Sequence, residues 1–189
     1  LFKRMAGGSR FSVASLFSSG EQGAWYDPSD MSTMFQESSL ATPAVIGQPV
    51  GAIYDKSQSL KRGPEIVTNG DFSTDTDWNK GSPGWSIANG SAIGTNVSGR
   101  NLSQTSISFT EGAIYNLQFT VTRTAGNIIP RLGGTTSVNG ATIFQSGTYN
   151  IFLRANSSSD AVVFRGNSGF TGTIDNVSVK KVLGNHAYQ

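Results

Sequence analysis

IYNLQFTVTR, residues 114–123, alternates between apolar and polar side chains. One side of the alternation carries Tyr115, Leu117, Phe119 and Val121, and the positions between them are Asn, Gln and Thr. Because successive side chains of a strand point to opposite faces of a sheet, the stretch predicts a strand with one buried and one wetted face.

The same character extends to both sides of this stretch. Candidate strands recur at spacings of roughly 8–12 residues with Gly, Asn and Ser turns between them, which is typical of sandwiches. They are Trp85–Ala88, Leu102–Phe109, Ile114–Arg123, Ile128–Leu132, Thr148–Arg154, Ala161–Arg165 and Thr173–Val182. We therefore predict an all-β fold, with residues 64–182 forming an antiparallel β-sandwich of two packed sheets. Residues 183–189 would be a linker or the resumption of another domain.

The region before the sandwich has a different composition. Residues 1–20 form a basic arm without an acidic residue, and residues 21–63 contain few apolar side chains. Asp27 is a good N-cap before Pro28, and the apolar residues that follow have helical spacing, which predicts one short helix over Pro28–Glu37. Val50–Tyr54 is one further candidate strand. This extended arm is too small to bury its own core, so we expect a partner surface to order it.

Charge and residue usage exclude several functions. The formal net charge of the 189 residues is only +2, and the basic residues are scattered, which disfavours nucleic-acid binding. No apolar run approaches the roughly 18–20 residues of a membrane span. The chain has no Cys, and His186 is its single histidine. This inventory is poor for catalysis, and we expect a protein that is not an enzyme.

Four landmarks occur in order along the predicted sandwich: EIVTNGDF at 65–72, GW at 84–85, YNLQF at 115–119 and IDNVSV at 174–179. In these landmarks the chain resembles the jelly-roll domains of carbohydrate-binding modules and galactose-binding-like proteins. The resemblance implies a jelly roll that the first landmark opens and the last closes. It also implies a structural calcium ion near Asp71 and Asp175. Ser73 departs from the pattern, because members of the family commonly have an acidic residue there.

Sugar recognition requires aromatic faces and polar groups beside them. Trp78 and Trp85 are the candidate stacking residues, and Asn79 is the candidate hydrogen-bonding residue. Trp78 stands among polar residues, which favours exposure, whereas the position of Trp85 in the GW landmark favours a core anchor over a stacking residue. Phe152 lies on the polar side of its strand and indicates either an exposed apolar contact or an edge packing position.

A second set of motifs precedes the sandwich: GEQGAWYDPSD at 20–30, MFQ at 34–36 and GQPVG at 47–51. In these three motifs the chain resembles phage structural proteins, which are products of virion and tail genes. Such proteins continue from Asp-Lys-Ser directly into Gly-Asn-His-Ala, within a concanavalin-like or laminin-G-like sandwich. Here the two halves stand at 55–57 and 184–187. We therefore expect the jelly roll to be an insertion, and the polypeptide to be longer than these residues.

The resemblances lead to three hypotheses. The first is a structural or adhesive phage virion component, in which Trp25, Tyr26, Met34 and Phe35 dock onto other virion proteins and the jelly roll meets cell-surface polysaccharide. Trp25 and Tyr26 are equally expected to pack locally. The second is a carbohydrate-binding module of a secreted hydrolase, and the third is a cementing protein without a ligand. Homo-oligomerisation is expected by analogy with phage appendages.

Overall fold

The computed structural model describes residues 12–19, 21, 23–38, 40, 42–57, 61–184 and 186–188. Within these ranges the helical elements are two 3₁₀ helices, Val13–Phe17 and Met31–Thr33. The strands in chain order are β1 (Met34–Phe35), β2 (Ala52–Ile53), β3 (Arg62–Glu65), β4 (Asn79–Lys80), β5 (Trp85–Ala88), β6 (Ser91–Val97), β7 (Arg100–Thr105), β8 (Ile114–Gly133), β9 (Val138–Asn139), β10 (Gly147–Arg154), β11 (Ala161–Val182) and β12 (Ala187–Tyr188). The protein is all-β, as the sequence predicts. Residues 1–11 and 20 of the predicted basic arm lie outside the described residues.

The strands form two antiparallel sheets. The small sheet has the order β1-β2-β12. The large sheet is built on β8 and β11, which pair with each other along most of their lengths. On the outer sides of this pair, β10 and β9 join β8, whereas β3, β6 and β7 join β11. Strand β5 pairs with β6, and β4 pairs with β7.

The long strands β8 and β11 bend at the same level, so that one half of each strand belongs to one layer of the sandwich and the other half to the second layer. Residues 115–125 of β8 pair with residues 171–181 of β11, and residues 127–133 pair with residues 161–167, with register shifts between the two blocks. Gly126 lies at this bend with φ +66°, and a Cβ there would be 2.3 Å from the backbone nitrogen of Phe170. Only glycine fits so close to the neighbouring backbone at this φ.

The first layer consists of residues 114–125 and 170–182 of the long strands together with β3, β5, β6 and β10. The second layer consists of residues 127–133 and 161–167 together with β4, β7 and β9. Phe119 of the first layer meets Phe164 of the second, with ring centroids 4.9 Å apart and planes at 67°. Both side chains are fully buried. Burial of such a ring stabilises the fold by ~1.5–3 kcal/mol, so the two layers are held as a sandwich.

The predicted alternation is confirmed along β8. Tyr115, Leu117, Phe119 and Val121 are all at most 2% exposed. Asn116, on the other face, is also buried: its Oδ1 accepts a hydrogen bond from Arg62 of β3 at 3.1 Å, and its Nδ2 donates to the Ile151 carbonyl at 3.2 Å.

Two predicted strand divisions are wrong. Ile114–Arg123 and Ile128–Leu132 belong to one strand, and so do Ala161–Arg165 and Thr173–Val182. The physical reason is that glycines and register shifts let the long strands bend while their backbone pairing continues.

The predicted helix over Pro28–Glu37 is also wrong, apart from the single 3₁₀ turn Met31–Thr33. Asp30 caps this turn by accepting hydrogen bonds from the backbone N–H and the hydroxyl of Ser32. Met34 and Phe35 then continue in extended conformation and pair with Ile53 and Ala52. Sheet pairing and burial of both side chains therefore outweigh the helical spacing.

The small sheet packs on the sandwich through its own apolar cluster. Phe35, Leu40, Ala52 and Tyr54 pack with Ile114 and Val182 of the sandwich, and Phe152 lies against them. The Phe152 ring centroid is 5.0 Å from that of Tyr54. Phe152 is therefore a packing position, which was one of its two predicted roles.

Candidate functional site

The two tryptophans predicted to stack on sugars are core residues. Trp78 is 5% exposed and Trp85 is 7% exposed. Their indole nitrogens donate to backbone carbonyls, Trp78 to Asn69 at 3.1 Å and Trp85 to Arg100 at 3.3 Å. The expectation that Trp78 is exposed is wrong, because its ring packs against Phe72, with centroids 5.1 Å apart. Neither ring presents a face on which a sugar could stack.

Asn79, the third predicted sugar-binding residue, is exposed at the edge of the second layer. Its Cα partner across the β4–β7 pair is Ser103. The register of the neighbouring strands continues this row across the sheet, first to Val163 and then to Arg131 and Asn139. One line of side chains therefore crosses five strands on the outer face of the second layer.

Two further rows flank this line. Thr105, Ala161 and Gly133 form one, and Asn101, Arg165 and Ile129 form the other. The intervening residues of the same strands point inward, as shown by Leu102, Val162 and Leu132 in the sandwich core. The outer face of the second layer is thus mainly polar, whereas its inner face is apolar.

A shallow groove of about 330 Å³ follows these rows, and we call it the polar groove. Its polar lining comes from Asn101, Ser103, Thr105, Arg131, Ser137 and Asp160, and its floor from Ala161, Val163 and Gly133. Ala161 and Val163 are 4% and 5% exposed. A Cβ at Gly133 would lie 2.7 Å from a methyl group of Val163, so glycine at this position keeps the floor low.

Arg131 is the most unusual side chain of the polar groove. Its Nε is buried and has no hydrogen-bond partner, and no ion pair to it occurs in the part of the chain that the structure describes. Burial lowers the pKa of Arg131 from its usual value, and the nearby positive charge of Arg165 lowers it further. Arg131 remains charged, because a guanidinium does not lose its proton in proteins.

Two further charged groups lie on opposite sides of the row of Arg131: Asp160 lines the polar groove, whereas Arg165 stands next to its lining. Arg165 lies in the row of Asn101, and its Nε donates to Asn167 Oδ1 at 3.3 Å. Asp160 lies beside Ala161, and its backbone nitrogen donates to Gly133 O at 3.0 Å. The polar groove therefore has a carboxylate at its Thr105 end, and a second guanidinium lies in the row of Asn101 at its other end. The sequence singled out neither group.

A second groove, of about 460 Å³, lies near Asp77 and β7. Its central polar residue, Gln104, is already paired: Oε1 accepts from Thr68 N and Nε2 donates to Thr68 O, both at 2.9 Å. Because this amide is committed to the fold, the polar groove is the stronger candidate for a ligand.

The calcium site implied at Asp71 and Asp175 does not fit the residues present. Asp71 accepts from the backbone N–H of Ser73 at 3.2 Å, and Asp175 from that of Asn176 at 2.6 Å. Within the described ranges, no three His, Cys, Asp or Glu side chains come together to hold a metal ion. Ser73 supplies no carboxylate where the resemblance requires one.

Two of the four predicted docking residues are buried within the chain. Met34 is 5% exposed and Phe35 is 6% exposed, because the small sheet and its apolar cluster enclose them. The expectation that they contact other virion proteins therefore does not agree with the structure. Tyr26 is 40% exposed. Trp25 is half-buried, and Lys56 Nζ lies 4.8 Å from its ring centroid.

The phage-like motifs meet around one buried carboxylate. Asp55, fully buried, accepts from Trp25 N at 2.8 Å and from both the backbone N–H and the hydroxyl of Ser57 at 2.8 Å. Its own backbone N–H donates to His186 Nδ1 at 3.1 Å. Strand β12, just after His186, pairs with β2, just before Asp55. Segments that are distant in sequence are therefore joined, and we call this arrangement the Asp55 cluster.

The acidic residues of the second motif surround Lys56. Lys56 Nζ lies 2.8 Å from Asp27 Oδ2 and 2.9 Å from Asp30 Oδ2. The hydrogen bond from Lys56 lowers the pKa of Asp27 to about 2. Hydrogen bonds from Ser32 and then Lys56 lower the pKa of Asp30. These contacts fix the loop that carries Trp25 and Tyr26.

The described residues contain no helix long and apolar enough to cross a membrane. Comparison with protein-family models finds no match, and comparison with curated proteins finds none either.

Solved structures give distant matches to this fold. A variant of a family 29 carbohydrate-binding module is 18% identical with a TM-score of 0.48, over 64% of this chain and 86% of that one. The N-terminal cellulose-binding domain of β-1,4-glucanase C from Cellulomonas fimi is 14% identical with a TM-score of 0.47, over 65% of this chain and 100% of that one. The enzymatically active domain of tailspike protein 4 from bacteriophage CBA120 is 16% identical with a TM-score of 0.46. That match covers 62% of this chain but only 21% of the tailspike chain.

Proposed function

We propose that this chain is a non-catalytic binding module for glycans, and that the polar groove is its binding site. The observation that carries the proposal is the row from Asn79 through Ser103 and Arg131 to Asn139, which crosses five strands of a rigid sheet. Amide, hydroxyl and guanidinium groups in such a row suit the closely spaced hydroxyls of a sugar chain. The low apolar floor at Ala161 and Val163 accepts the C–H face of a sugar ring.

The proposed site binds without aromatic stacking. In the part of the chain that is described, the groove lining contains no Trp, Tyr or Phe. Hydrogen bonds to hydroxyls replace hydrogen bonds to water, and each therefore contributes only about 0.5–1.5 kcal/mol net. We expect a modest affinity for one glycan segment, which several copies on one particle would raise through avidity.

The non-catalytic part of the proposal rests on His186. Its Nδ1 is occupied by the backbone N–H of Asp55, and its Nε2 is buried, facing the backbone of Val182 without a well-formed hydrogen bond among the described residues. A general base must reach the proton that it removes. This histidine is therefore assigned to the Asp55 cluster.

The carrier of the module is proposed to be a phage virion component that displays it outside the host cell. The support is the phage-like motif set, whose residues form the Asp55 cluster and attach to the sandwich through the small sheet. Trp25 and Tyr26 are the docking candidates that retain exposed surface, and neighbouring virion proteins or further copies are the proposed partners. Detection of the chain in purified particles supports this role, whereas detection only in a secreted hydrolase favours the alternative carrier.

Glycan-array binding with the purified chain tests the function itself. We expect binding to at least one glycan class, and we expect the double variant Asn101→Ala and Ser103→Ala to weaken it. Lys61→Ala, an exposed residue away from the polar groove, is the control and should bind as the unaltered chain does. A folded chain that binds no glycan on the array contradicts the proposal.

A further inference from the structure

We infer that the ligand of the polar groove is an anionic glycan, whose carboxylate or sulfate group is held by Arg131 and Arg165. This inference rests on the proposed glycan-binding function and adds the chemical class of the ligand. Its basis is a pair of arginines on one face of the sheet, neither of which has an acidic partner among the described residues.

The sheet register places the two arginines together. Val163 is the Cα partner of Arg131, and Arg165 is the Cα partner of Ile129, so Arg131 and Arg165 are diagonal neighbours on the same face. Diagonal neighbours in an antiparallel pair are about 7–8 Å apart, which long side chains can span from both sides of one anion. Asn101 and Ser103 stand in the same two rows on β7 and can donate to the remaining oxygens.

Neither guanidinium is neutralised by a carboxylate of the residues that the structure describes. Throughout the described ranges, the ion pairs involve Lys56, Lys80 and Lys180, and no carboxylate lies within ion-pair distance of Arg131 or Arg165. The contact that Arg165 does make is with Asn167, which is neutral. Two like charges that are held side by side repel each other, and an anion placed between them removes that repulsion.

Partial burial strengthens the argument at Arg131. Its Nε has lost water without gaining a partner among the described residues. A partly desolvated charge that is not paired is unfavourable, and an anion in the groove that contacts the accessible part of the guanidinium offsets this cost. A negatively charged ligand therefore gains more binding free energy at Arg131 than a neutral sugar does.

Asp160 makes the two ends of the polar groove differ in charge. It is the acidic residue among the lining groups and lies at the end that Thr105 and Ala161 form, away from the row of Arg165. A carboxylate accepts hydrogen bonds from sugar hydroxyls and repels a second anion. The ligand should therefore place its charged sugar at the arginine end and a neutral sugar at the Asp160 end.

The test compares an oligogalacturonate with the same oligosaccharide after methyl esterification, which removes the charge and keeps the sugar. Titration calorimetry should show that the acid form binds roughly tenfold or more tightly, as expected for a desolvated ion pair. A sulfated galactan oligosaccharide and a neutral manno-oligosaccharide form the other two arms, and they separate carboxylate, sulfate and uncharged ligands. Binding of the acid form should weaken when NaCl is raised from ~50 mM to ~500 mM.

The variants Arg131→Ala and Arg165→Ala should each remove most of the preference for the charged ligand. Arg131→Lys keeps the charge but loses the guanidinium fork, so an intermediate affinity is expected. Lys61→Ala also removes one positive charge and should leave binding unchanged. Circular dichroism and thermal unfolding verify that each variant is folded before its affinity is used.

The outcomes separate the two claims. Binding of the acid or sulfated ligand that depends on both arginines supports the inference. Equal or tighter binding of the esterified or neutral ligands overturns it and leaves the glycan-binding function intact. If the folded chain binds none of the four ligands and nothing on the glycan array, both claims are overturned.

Discussion

His186 Nδ1 accepts a hydrogen bond from the backbone N–H of Asp55 at 3.1 Å, across 131 positions of the chain. The imidazole ring also lies against Tyr54, with centroids 5.2 Å apart. An acceptor at Nδ1 requires the neutral ring, because both nitrogens of the protonated ring are donors. The attachment of β12 to β2 is therefore coupled to the protonation state of one side chain.

This coupling predicts that the Asp55 cluster weakens in acid. Burial lowers the pKa of His186 below its usual value of 6.5. The backbone of Val182 and then the carboxylate of Asp55 oppose this effect, and Arg62 adds to it. The unfolded state therefore binds a proton at higher pH than the folded state does, so stability is fully present above about pH 6.5 and falls as the pH drops through the folded pKa. The protection factors of the Ala187 and Tyr188 amides, which correct exchange rates for their intrinsic pH dependence, should fall between pH 7 and pH 5, and His186→Gln should abolish this fall. Equal protection factors at both pH values would contradict the prediction.

The ion pair between Lys56 and Asp27 leads to a second prediction, on the titration of the Asp27 carboxyl. Its hydrogen bond to Asp27 lowers the pKa of that carboxyl from 3.8 to about 2. The contact therefore contributes stability above pH 3.8, which is lost as the pH falls toward 2. In Lys56→Met, carboxyl NMR should show the Asp27 midpoint moving up toward 3.8. Lys61→Met is the matched control and should leave that midpoint in place. An unchanged midpoint in Lys56→Met would show that the ion pair is not formed in solution.

The bend of the long strands can be tested with two glycines of similar backbone conformation. Gly126 has φ +66°, and a Cβ there would be 2.3 Å from Phe170 N, whereas Gly90 has φ +69° and its nearest atom would be 3.8 Å away. Alanine at Gly90 should cost about 1 kcal/mol, which is the strain of a positive φ. Alanine at Gly126 should cost more than about 3 kcal/mol, because it also displaces backbone. Urea unfolding of both variants measures the difference, and equal losses would mean that the strands are not joined closely at this bend.

The strands could be predicted from the sequence, because side chains along a strand alternate between the core and water and so give the sequence a period of two. Phe119 and Leu117 reveal their burial in their immediate neighbourhood. The bend at Gly126 could not be predicted in this way. Whether the backbone pairing continues through a glycine depends on the partner strand, which the local sequence does not contain. Trp78 was misplaced for a related reason. Its neighbours in sequence are polar, but its ring is covered by Phe72 and by Phe164, which lies far along the chain.

Less of the candidate site than of the fold could be predicted from the sequence. Asn79 was identified from its position beside Trp78, although that tryptophan is buried. Arg131 and Arg165 each occur in a predicted strand, at positions that a period of two assigns to the outer face. Only the register of β8 with β11 shows that they are neighbours, and register is not encoded in either strand alone.

The floor of the polar groove gives a prediction that does not depend on charge. A Cβ at Gly133 would meet Val163 Cγ2 at 2.7 Å and Ala161 Cβ at 3.1 Å. Gly133→Ala should therefore raise the floor and weaken the binding of charged and neutral glycans alike, with an unchanged dependence on salt. Overpacking of this kind costs about 1–3 kcal/mol of stability, which thermal unfolding reports separately.

Gly63→Ala is the control for the groove floor, because the nearest atom to its Cβ, in Lys181, is 3.6 Å away and lies in the first layer. This variant should bind as the unaltered chain does. If Gly133→Ala is folded and also binds every glycan with unchanged affinity, the sugar does not descend to Val163. The polar groove would then be at most the margin of a binding surface that lies elsewhere.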